Sequence, residues 1–333
     1  MTITAQATRT LSLKDAITEA IRDEMERDER VFLLGEDIQD PFGGAFQITL
    51  GLTTKFGHKR VVETPISESA IIGTAVGAAM AGLRPIAEIM IIDFLGVCLD
   101  QLYNQAAKLR YMSAGQATAP LVIRTEAGAG GGFGAQHSQS LEAWLCHVPG
   151  LKVVFPSTAY DAKGLMLSAI RDEDPVVFIE NIQLYWTRGE CPEGDYTVPF
   201  GQAAVRREGT DCTIVAWGRM TMDANAAADE LADLGISCEV IDPRTLVPLD
   251  IDTILKSVRK TGRLVVAHEA VERGGFGGEI AAQVQEKAWD ALKGPVRRVA
   301  AENTPVPYAK GLEAEMLPQR KDIVAAVRTA VGR

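Results

Sequence analysis

The sequence predicts an α/β fold in two parts, because strand-like and helical patterns alternate twice along its 333 residues. In the first part, short apolar runs predict strands at 31–34, 60–63, 85–92, 121–124, 151–155 and 176–180. In the second part, similar runs predict strands at 213–217, 237–241, 263–267 and 296–300. Alternation of this kind predicts a parallel sheet that is covered by helices on both faces.

The predicted helices lie between these strands. The first begins at Ser12, which stands in capping-box spacing with Asp15. One predicted helix is the small-residue segment that follows the strand at 60–63, within the run 61–83. The others cover residues 12–29, 94–113 and 159–171, then segments ending at 234 and 259, 278–292, and a segment from 319. Residues 38–60 read as a long glycine-rich loop region. Glycines and prolines interrupt the rhythm after residue 181, so we expect domains at 1–185 and 211–333 with a linker at 186–210.

Composition excludes several classes of partner. The formal charge of −10 disfavours nucleic acid and anionic membranes. The five cysteines are odd in number and lack C-x-x-C spacing, which favours a reducing compartment over a disulfide framework or a zinc site. The start of the chain shows no signal-peptide pattern, and the longest apolar run, residues 70–83, is too short to span a bilayer. We therefore expect a cytoplasmic protein.

One carboxylate, Glu68, stands at the start of a helix made almost wholly of small residues. Pro65 suits the turn into this helix, and Ser67 or Thr64 can cap its free amides. Acidic residues are common in first turns because the helix dipole favours them, so Glu68 has a purely structural interpretation. Its apolar neighbours, which include Ile66, also suit an acid–base group, since such surroundings shift carboxyl pKa values.

A glycine-rich segment, residues 126–137, follows a predicted strand and ends at His137. Phe133 takes the place of the third glycine of a dinucleotide-binding G-x-G-x-x-G motif, so that function is weakly supported. A mobile loop that carries His137 into a cleft is the better interpretation. Histidine is the commonest proton carrier in active sites, although a lone histidine is more often a bystander.

Two further positions are candidates. Phe94 follows a predicted strand at the sheet edge where open α/β sheets bind ligands, so it could stack on a planar ring or simply belong to the core. Asp172 and Asp174 end a helix whose free carbonyls point outward, so they could complete an oxygen-only cation site or form a solvated acidic turn. We find neither a Walker loop nor a Gly-Asp-Gly with a paired Asn, and therefore expect no diphosphate-binding site in this chain by itself.

Together these segments resemble the β subunits of the thiamine-diphosphate-dependent 2-oxoacid dehydrogenase E1 components. The resemblance covers nearly the whole chain in order. It is carried by the stretches ETPISES (63–69), GLRPIAE (82–88), DQLYNQAAK (100–108), AQHSQS (135–140), PGLKVV (149–154), SAIRDEDP (168–175), EVIDPRT (239–245) and TPVPY (304–308).

The resemblance implies a transketolase-like fold, with a pyrimidine-binding domain at 1–185 and a transketolase C-terminal-like domain at 211–333. It implies an α2β2 assembly in which an E1 α subunit holds the diphosphate and Mg²⁺ of thiamine diphosphate. The partner that receives the acyl group is then the lipoyl acyltransferase E2. The enzyme is expected to be active only with its α subunit.

The resemblance also implies residue roles. Glu68 matches the glutamate that bonds N1′ of the aminopyrimidine, and Phe94 and Ile66 are expected beside that ring. His137 matches a histidine that handles substrate and acyl transfer. Matches to a potassium site in relatives fall at Leu121, Ala169, Ile170, Asp172 and Asp174, the last of which is often Asn there.

The implied reaction is oxidative decarboxylation of a 2-oxoacid with acyl transfer to lipoamide, and pyruvate is the first candidate substrate. Acetoin and branched-chain 2-oxoacids are the alternatives, and the segments DFLGVC (93–98) and WGRM (217–220) lean towards acetoin. An alternative from another class is a stand-alone dinucleotide-binding or scaffolding protein.

Overall fold

The computed structural model describes residues 7–332. Its strands are β1 Thr8–Ser12, β2 Val31–Gly35, β3 Val61–Glu63, β4 Arg84–Ile91, β5 Val122–Ala127, β6 Lys152–Val154, β7 Val176–Asn181, β8 Arg188–Pro192, β9 Ala204–Arg207, β10 Cys212–Ala216, β11 Cys238–Asp242, β12 Thr245–Val247, β13 Leu264–Val271 and β14 Arg297–Ala301. Its α-helices are α1 Leu13–Arg27, α2 Leu52–Phe56, α3 Glu68–Met80, α4 Leu109–Met112, α5 Glu142–Cys146, α6 Ala159–Arg171, α7 Arg219–Asp233, α8 Ile251–Thr261, α9 Gly277–Ala288, α10 Lys310–Met316 and α11 Arg320–Val331.

The described chain divides into two compact units. The first contains residues up to 126, together with 147–180 and 184–200. The second contains 127–146, 181–183 and the chain from 201 onward. Within residues 7–332, no helix has both the length and the apolar character needed to cross a membrane.

The first unit is built on a sheet whose strands follow the order β6-β7-β5-β4-β2-β3. The registered pairs β2–β3, β2–β4, β4–β5 and β6–β7 are all parallel. The parallel sheet predicted from the sequence is therefore confirmed. Buried apolar runs explain these strands, since β5 and β7 have no exposed residue and are covered on both faces.

Two helices of the first unit form as predicted. Helix α1 begins after Ser12, whose hydroxyl accepts from the Asp15 amide at 3.1 Å. Helix α6 begins after Thr158, whose hydroxyl accepts from the Asp161 amide at 3.2 Å. Each cap satisfies one of the free amides of a first helical turn. The two helices pack against each other through their buried faces.

The helix predicted at 94–113 is wrong as a single element. The segment is a 3₁₀ turn at Ile92–Val97, a π turn at Gln101–Gln105, a second 3₁₀ turn and then α4. Gly96 weakens the first turn. The Ala107 carbonyl lies so close to Gly150 that a Cβ there would be 1.9 Å from its oxygen. Packing of this kind selects the irregular backbone over a regular helix.

The segment predicted as a linker contains regular structure. Strand β8 pairs antiparallel with β1, and β9 pairs antiparallel with β11. Strand β8, before residue 200, therefore belongs to the first unit, and strand β9, after it, belongs to the second. The glycines and prolines that interrupt the helical rhythm mark short edge strands as well as turns.

The second unit is a smaller α/β layer structure, as predicted. Its sheet has the order β14-β13-β10-β11-β9, with parallel pairs except at the edge strand β9. Alternating apolar residues of α7 and α11 pack on β10, β11 and β13 to form the core. Helix α10, which the sequence patterns did not predict, is a short helix with only Glu313 and Met316 buried.

Candidate functional site

The predicted acid, Glu68, is the first residue of α3 and is half-buried. Helix α3 buries Ile71, Ile72 and Ala75, which fixes its orientation in the first unit. The predicted caps are wrong, because the Ser67 hydroxyl donates to the Pro65 carbonyl at 3.0 Å and caps no amide. Thr64 instead uses its backbone amide, which donates to the Gly35 carbonyl at 2.9 Å. The entry to α3 is thereby tied to the end of β2.

A second carboxyl group, Glu36, lies beside Glu68, and the sequence analysis missed it. Glu36 follows the last residue of β2, at the edge of the sheet where parallel strands end. Burial raises the pKa of Glu36, and the negative charge of Glu68 raises it further. The Ser67 amide donates to its carboxylate and opposes this shift. The nearby negative charge thus favours the protonated form of Glu36. An acidic residue directly after an apolar strand was the sequence feature that could have identified Glu36.

The aromatic candidate Phe94 lies half-buried in the 3₁₀ turn that follows β4. A hydrogen bond ties this turn to α3, since the Ser69 hydroxyl donates to the Val97 carbonyl at 2.7 Å. Burial and the charge of Glu68 together raise the pKa of the Cys98 thiol at the end of the same turn to about 12. Ile66 is 81% exposed just before the helix. The first unit thus brings together the acid pair, an aromatic turn and an exposed apolar side chain, a set that suits a planar nitrogen heterocycle.

The same sheet contains a buried charge network that sequence reasoning missed. Arg124 of β5 is fully buried and donates to both Glu180 carboxylate oxygens at 2.7 Å, and also to Glu88. The Tyr185 hydroxyl donates to Glu180 at 2.7 Å. Burial raises the pKa of Glu126 well above its usual range, and burial also raises that of Glu88. Burial therefore favours the protonated forms of Glu88 and Glu126 in this network. Charged residues inside apolar strands were the signal for this network.

The predicted cation site lies in the first unit, and its oxygens already have donors. The Ile170 and Asp172 carbonyls both accept from Arg84 Nη1 at 2.9 Å. The Lys152 ammonium contacts the Asp172 carboxylate at 2.6 and 2.7 Å and Asp174 at 3.4 Å. The remaining two carbonyls accept backbone amides, Leu121 from Val176 at 2.9 Å and Ala169 from Asp172 at 3.2 Å. A carbonyl oxygen has two lone pairs, so a hard cation could still bind.

The described residues contain no cluster of three or more His, Cys, Asp or Glu side chains that could hold a metal ion. The predicted cation site depends mainly on backbone carbonyls. It is therefore a different kind of site from a side-chain metal centre.

The glycine-rich loop, residues 127–134, belongs to the second unit and is bound by two carboxylates. Glu269 accepts from the Ala129 amide at 2.7 Å. Glu313 accepts from the amides of Gly130 at 2.8 Å and Gly132 at 3.1 Å. A pyrophosphate on this loop would need the same amides. The geometry therefore disfavours a dinucleotide function for the loop.

The predicted histidine, His137, follows this loop and is exposed within the second unit. Its backbone amide donates to the Gly134 carbonyl at 3.4 Å, a long bond that holds the segment weakly. Glu68, Phe94 and Ile66 belong to the first unit, and His137 belongs to the second.

Beyond His137, helix α5 begins at a buried carboxyl group. Glu142 is fully buried and accepts from Trp217 Nε1 at 3.1 Å, while its Oε2 has no hydrogen-bond partner. Burial raises the pKa of Glu142 to about 7. The Trp217 ring stacks on His268 with centroids 5.2 Å apart, and burial lowers the pKa of His268 to about 4. Burial in this cluster thus favours the neutral forms of both Glu142 and His268.

Family models match both units of the chain. The model described as "Transketolase, pyrimidine binding domain" matches residues 9–187. The model described as "Transketolase, C-terminal domain" matches residues 201–323.

Similar proteins cover almost the full length. The chain is 51% identical over 329 residues to an "Acetoin:2,6-dichlorophenolindophenol oxidoreductase subunit beta" of Cupriavidus necator, covering 96% of this chain and 97% of that protein. It is 46% identical over 318 residues to a "Pyruvate dehydrogenase E1 component subunit beta" of Rickettsia felis, covering 96% and 97%. Among solved structures, a "Split gene transketolase, inactive beta4 tetramer" aligns with a TM-score of 0.80 at 25% identity, covering 97% of this chain and 98% of that chain.

Proposed function

Because this chain belongs to the family of the E1 β subunits of 2-oxoacid dehydrogenases, with both transketolase domains, we propose that it works in thiamine-diphosphate-dependent oxidation of a 2-oxoacid. The acyl group passes to lipoamide on an E2 partner. The observation that carries the proposal is the Glu68–Glu36 carboxyl pair at the start of α3, beside the turn of Phe94.

The residues of the first unit fit the aminopyrimidine half of this cofactor. A half-buried carboxyl at a helix start can bond a ring nitrogen, and the Phe94 ring and the exposed Ile66 side chain can cover the flat faces of a heterocycle. When bound, thiamine diphosphate supplies the nucleophilic carbon and the electron sink of the reaction. The chain supplies binding, orientation and proton control.

The role of Glu68 follows from its neighbour. Glu68 can hydrogen-bond the ring nitrogen, and Glu36 beside it, whose pKa is raised, can hold a proton. The two residues form an acid–base pair for N1′ of the ring.

A separate α subunit is needed in this proposal. The amides of the glycine-rich loop are taken by Glu269 and Glu313, and we find no phosphate-binding motif elsewhere in the sequence. The diphosphate and its Mg²⁺ are therefore held mainly by the α subunit. Helix α3 also exposes Ala70, Thr74, Gly77 and Met80 within the single chain. A helix that lacks a polar face is typical of one buried in an assembly, which supports an α2β2 complex.

His137 is proposed to handle substrate and acyl transfer. Its exposure and its place after a glycine-rich loop suit a side chain that meets a large incoming partner such as a lipoyl group. Imidazole can donate or accept a proton near neutral pH, as acyl transfer requires.

Pyruvate is the first candidate substrate and acetoin the second. The identity of 51% to an acetoin oxidoreductase subunit, against 46% to a pyruvate dehydrogenase subunit, supports acetoin as the alternative. Branched-chain 2-oxoacids are the third candidate. Stand-alone dinucleotide binding or scaffolding is disfavoured, because the loop amides that it needs are bound to carboxylates.

Three further expectations stay predictions. One is the potassium site at Leu121, Ala169, Ile170, Asp172 and Asp174, whose oxygen-only ligands fit a hard cation. Another is the cytoplasmic location. The third is the set of domain boundaries at 185 and 211.

The test is co-expression with the α subunit, followed by parallel assays with pyruvate, acetoin and branched-chain 2-oxoacids. We expect thiamine-diphosphate-dependent turnover of one substrate class by the complex and none by the isolated chain. Tight NAD binding by the isolated chain, or cofactor retention and turnover without an α subunit, would contradict the proposal. The lipoyl domain of E2 serves as the physiological acceptor in a second assay.

A further inference from the structure

The glycine-rich loop cannot hold its own conformation. Four alternate glycines have positive φ, at +101° for Gly128, +98° for Gly130, +72° for Gly132 and +77° for Gly134. Glycine loses more conformational freedom on folding than any other residue, so such a backbone is ordered only by contacts from outside. Its own backbone contributes the bonds from Gly128 to Gln139 at 3.2 Å and from His137 to Gly134 at 3.4 Å.

Glu313 of α10 supplies the external contacts in the middle of the loop. Its side chain is 2% exposed, and its carboxylate accepts from two loop amides, those of Gly130 and Gly132. Hydrogen bonds from amides to a charged acceptor are about twice as strong as neutral ones. Met316, one turn further along α10, packs with Ala129 in a small apolar cluster. Helix α10 therefore holds the loop by charge and by packing.

Glu269 forms a second anchor at the start of the loop. Besides the Ala129 amide, its carboxylate accepts from Asn181 Nδ2 at 3.0 Å and lies 3.4 Å from Arg219 Nε. This anchor has several partners and belongs to β13 in the core of the unit. The Glu313 anchor comes from a short helix, and Gly130 and Glu313 both line a cleft of about 710 Å³. Glu313 is thus the anchor that lines this cleft.

We propose that Glu313 is a positioning residue for His137: by binding the amides of Gly130 and Gly132, it sets where the loop delivers the imidazole. The inference rests on the proposed function of His137. His137 lies five residues beyond Gly132, and its amide donates to the Gly134 carbonyl at 3.4 Å. A displacement of about 1 Å at a reacting group can cost about 10²-fold in rate.

The experiment uses the assembled complex with four variants: Glu313→Gln, His137→Ala, their double variant and Glu315→Gln. Glu315 is the matched control, because it lies on the same helix and is exposed. Two rates are measured, substrate oxidation with an artificial dye and acyl transfer to a lipoyl domain. Hydrogen exchange of the peptide covering 127–137 reports on the loop itself.

We expect Glu313→Gln to raise exchange of this peptide at least tenfold and to slow, by at least tenfold, the same step that His137→Ala slows. In the double variant, Glu313→Gln should add less than about twofold to the loss from His137→Ala. The Glu315→Gln complex should match the parent in both measurements. Non-additivity of this kind distinguishes positioning from a general loss of stability.

Unchanged exchange in Glu313→Gln would overturn the proposal, as would losses that multiply in the double variant. An active complex in which His137→Ala slows neither rate would overturn it too, while leaving the wider functional proposal standing. A complex with no activity on any substrate of the panel would overturn both.

Discussion

The start of α3 and the glycine-rich loop both use small residues, yet they place their functional side chains in different ways. In α3, Gly73 and Gly77 lie inside a regular helix, and Glu68 is the first residue of that helix. In the loop, four glycines have positive φ and His137 follows an irregular backbone. The helix positions its acid by its own hydrogen bonds. The loop depends on side chains that are distant in sequence.

The comparison teaches which kind of site a local sequence can encode. Backbone bonds between residues four apart place Glu68, and Glu36 reaches it from the end of a neighbouring strand. The loop is anchored by Glu269 and Glu313, which are 140 and 183 residues away along the chain from the amides they bind. Substitutions at the start of α3 should therefore reduce turnover without changing stability. Substitutions in the glycine-rich loop should first reduce the order of the loop.

The largest effect is expected for Glu68→Gln in the assembled complex. Because the amide cannot share a proton with a ring nitrogen, turnover should fall by about 10²-fold or more with little change in thermal stability. The exposed Glu63, which stands five residues earlier, provides the control Glu63→Gln with near-parent turnover. Steady-state kinetics on the preferred substrate checks this. Near-normal turnover of Glu68→Gln would remove Glu68 from the mechanism.

Much of the fold could be predicted from the sequence because its elements are locally encoded. The limits of α6 match the prediction at both ends, and β2, β4, β10 and β13 form where apolar runs end in polar residues. The broken helix after β4 could not be predicted, since the Gly150–Ala107 approach that selects it joins residues far apart in sequence. Helix α10 was missed for a related reason: it buries only two of its residues.

The site was predictable only in part. Glu68, Phe94 and His137 could be named because they stand at strand or helix ends, where a ligand can reach them. Glu36 was missed, because its role depends on a pairing with Glu68 that only the folded sheet creates. Glu269 and Glu313 were missed since nothing near them in sequence points to the loop. Acids on β13 and on a short surface helix look like ordinary solvated residues.

The next largest effect is expected for a substitution in the glycine-rich loop. In Gly128→Ala, the new Cβ would lie 2.7 Å from Asn181 Nδ2 and 2.9 Å from Glu269 Oε1, at a φ of +101°. Strain and overpacking together should cost about 4 kcal/mol. The control Gly134→Ala, whose Cβ would find no atom closer than 3.6 Å, should cost about 1 kcal/mol. Calorimetry of the complex should give a clearly lower midpoint for Gly128→Ala; equal midpoints would show that the Glu269 anchor is soft.

A third test concerns Glu142, the first residue of α5 in the second unit. Burial raises its pKa from 4.5 to about 7, so the folded state binds its proton more tightly than the unfolded chain does. The resulting stability is complete below pH 4.5 and is lost as pH rises to about 7. Glu142→Gln has no proton to lose and keeps an acceptor for Trp217. Its stability relative to the parent should therefore rise by about 3 kcal/mol across that window.

Urea unfolding of the complex at several pH values measures this difference. The exposed Glu286 supplies the control Glu286→Gln, for which the difference from the parent should stay flat with pH. A flat profile for Glu142→Gln as well would mean that water or a conformational change relieves the burial of Glu142.

The smallest effect concerns the first unit and tests whether a bound cation stabilises it. Lys152 and Arg84 already meet the acids and carbonyls of the predicted cation site, so a bound K⁺ would compete with two internal cations. At a concentration several times its Kd, K⁺ should stabilise the complex by about 1 kcal/mol relative to choline, a shift of a few degrees in Tm. Lys152→Met removes one competitor and should enlarge the shift. Identical melting in K⁺ and choline for both proteins, with no ion found by metal analysis, would leave Lys152 and Arg84 as the cations of this site.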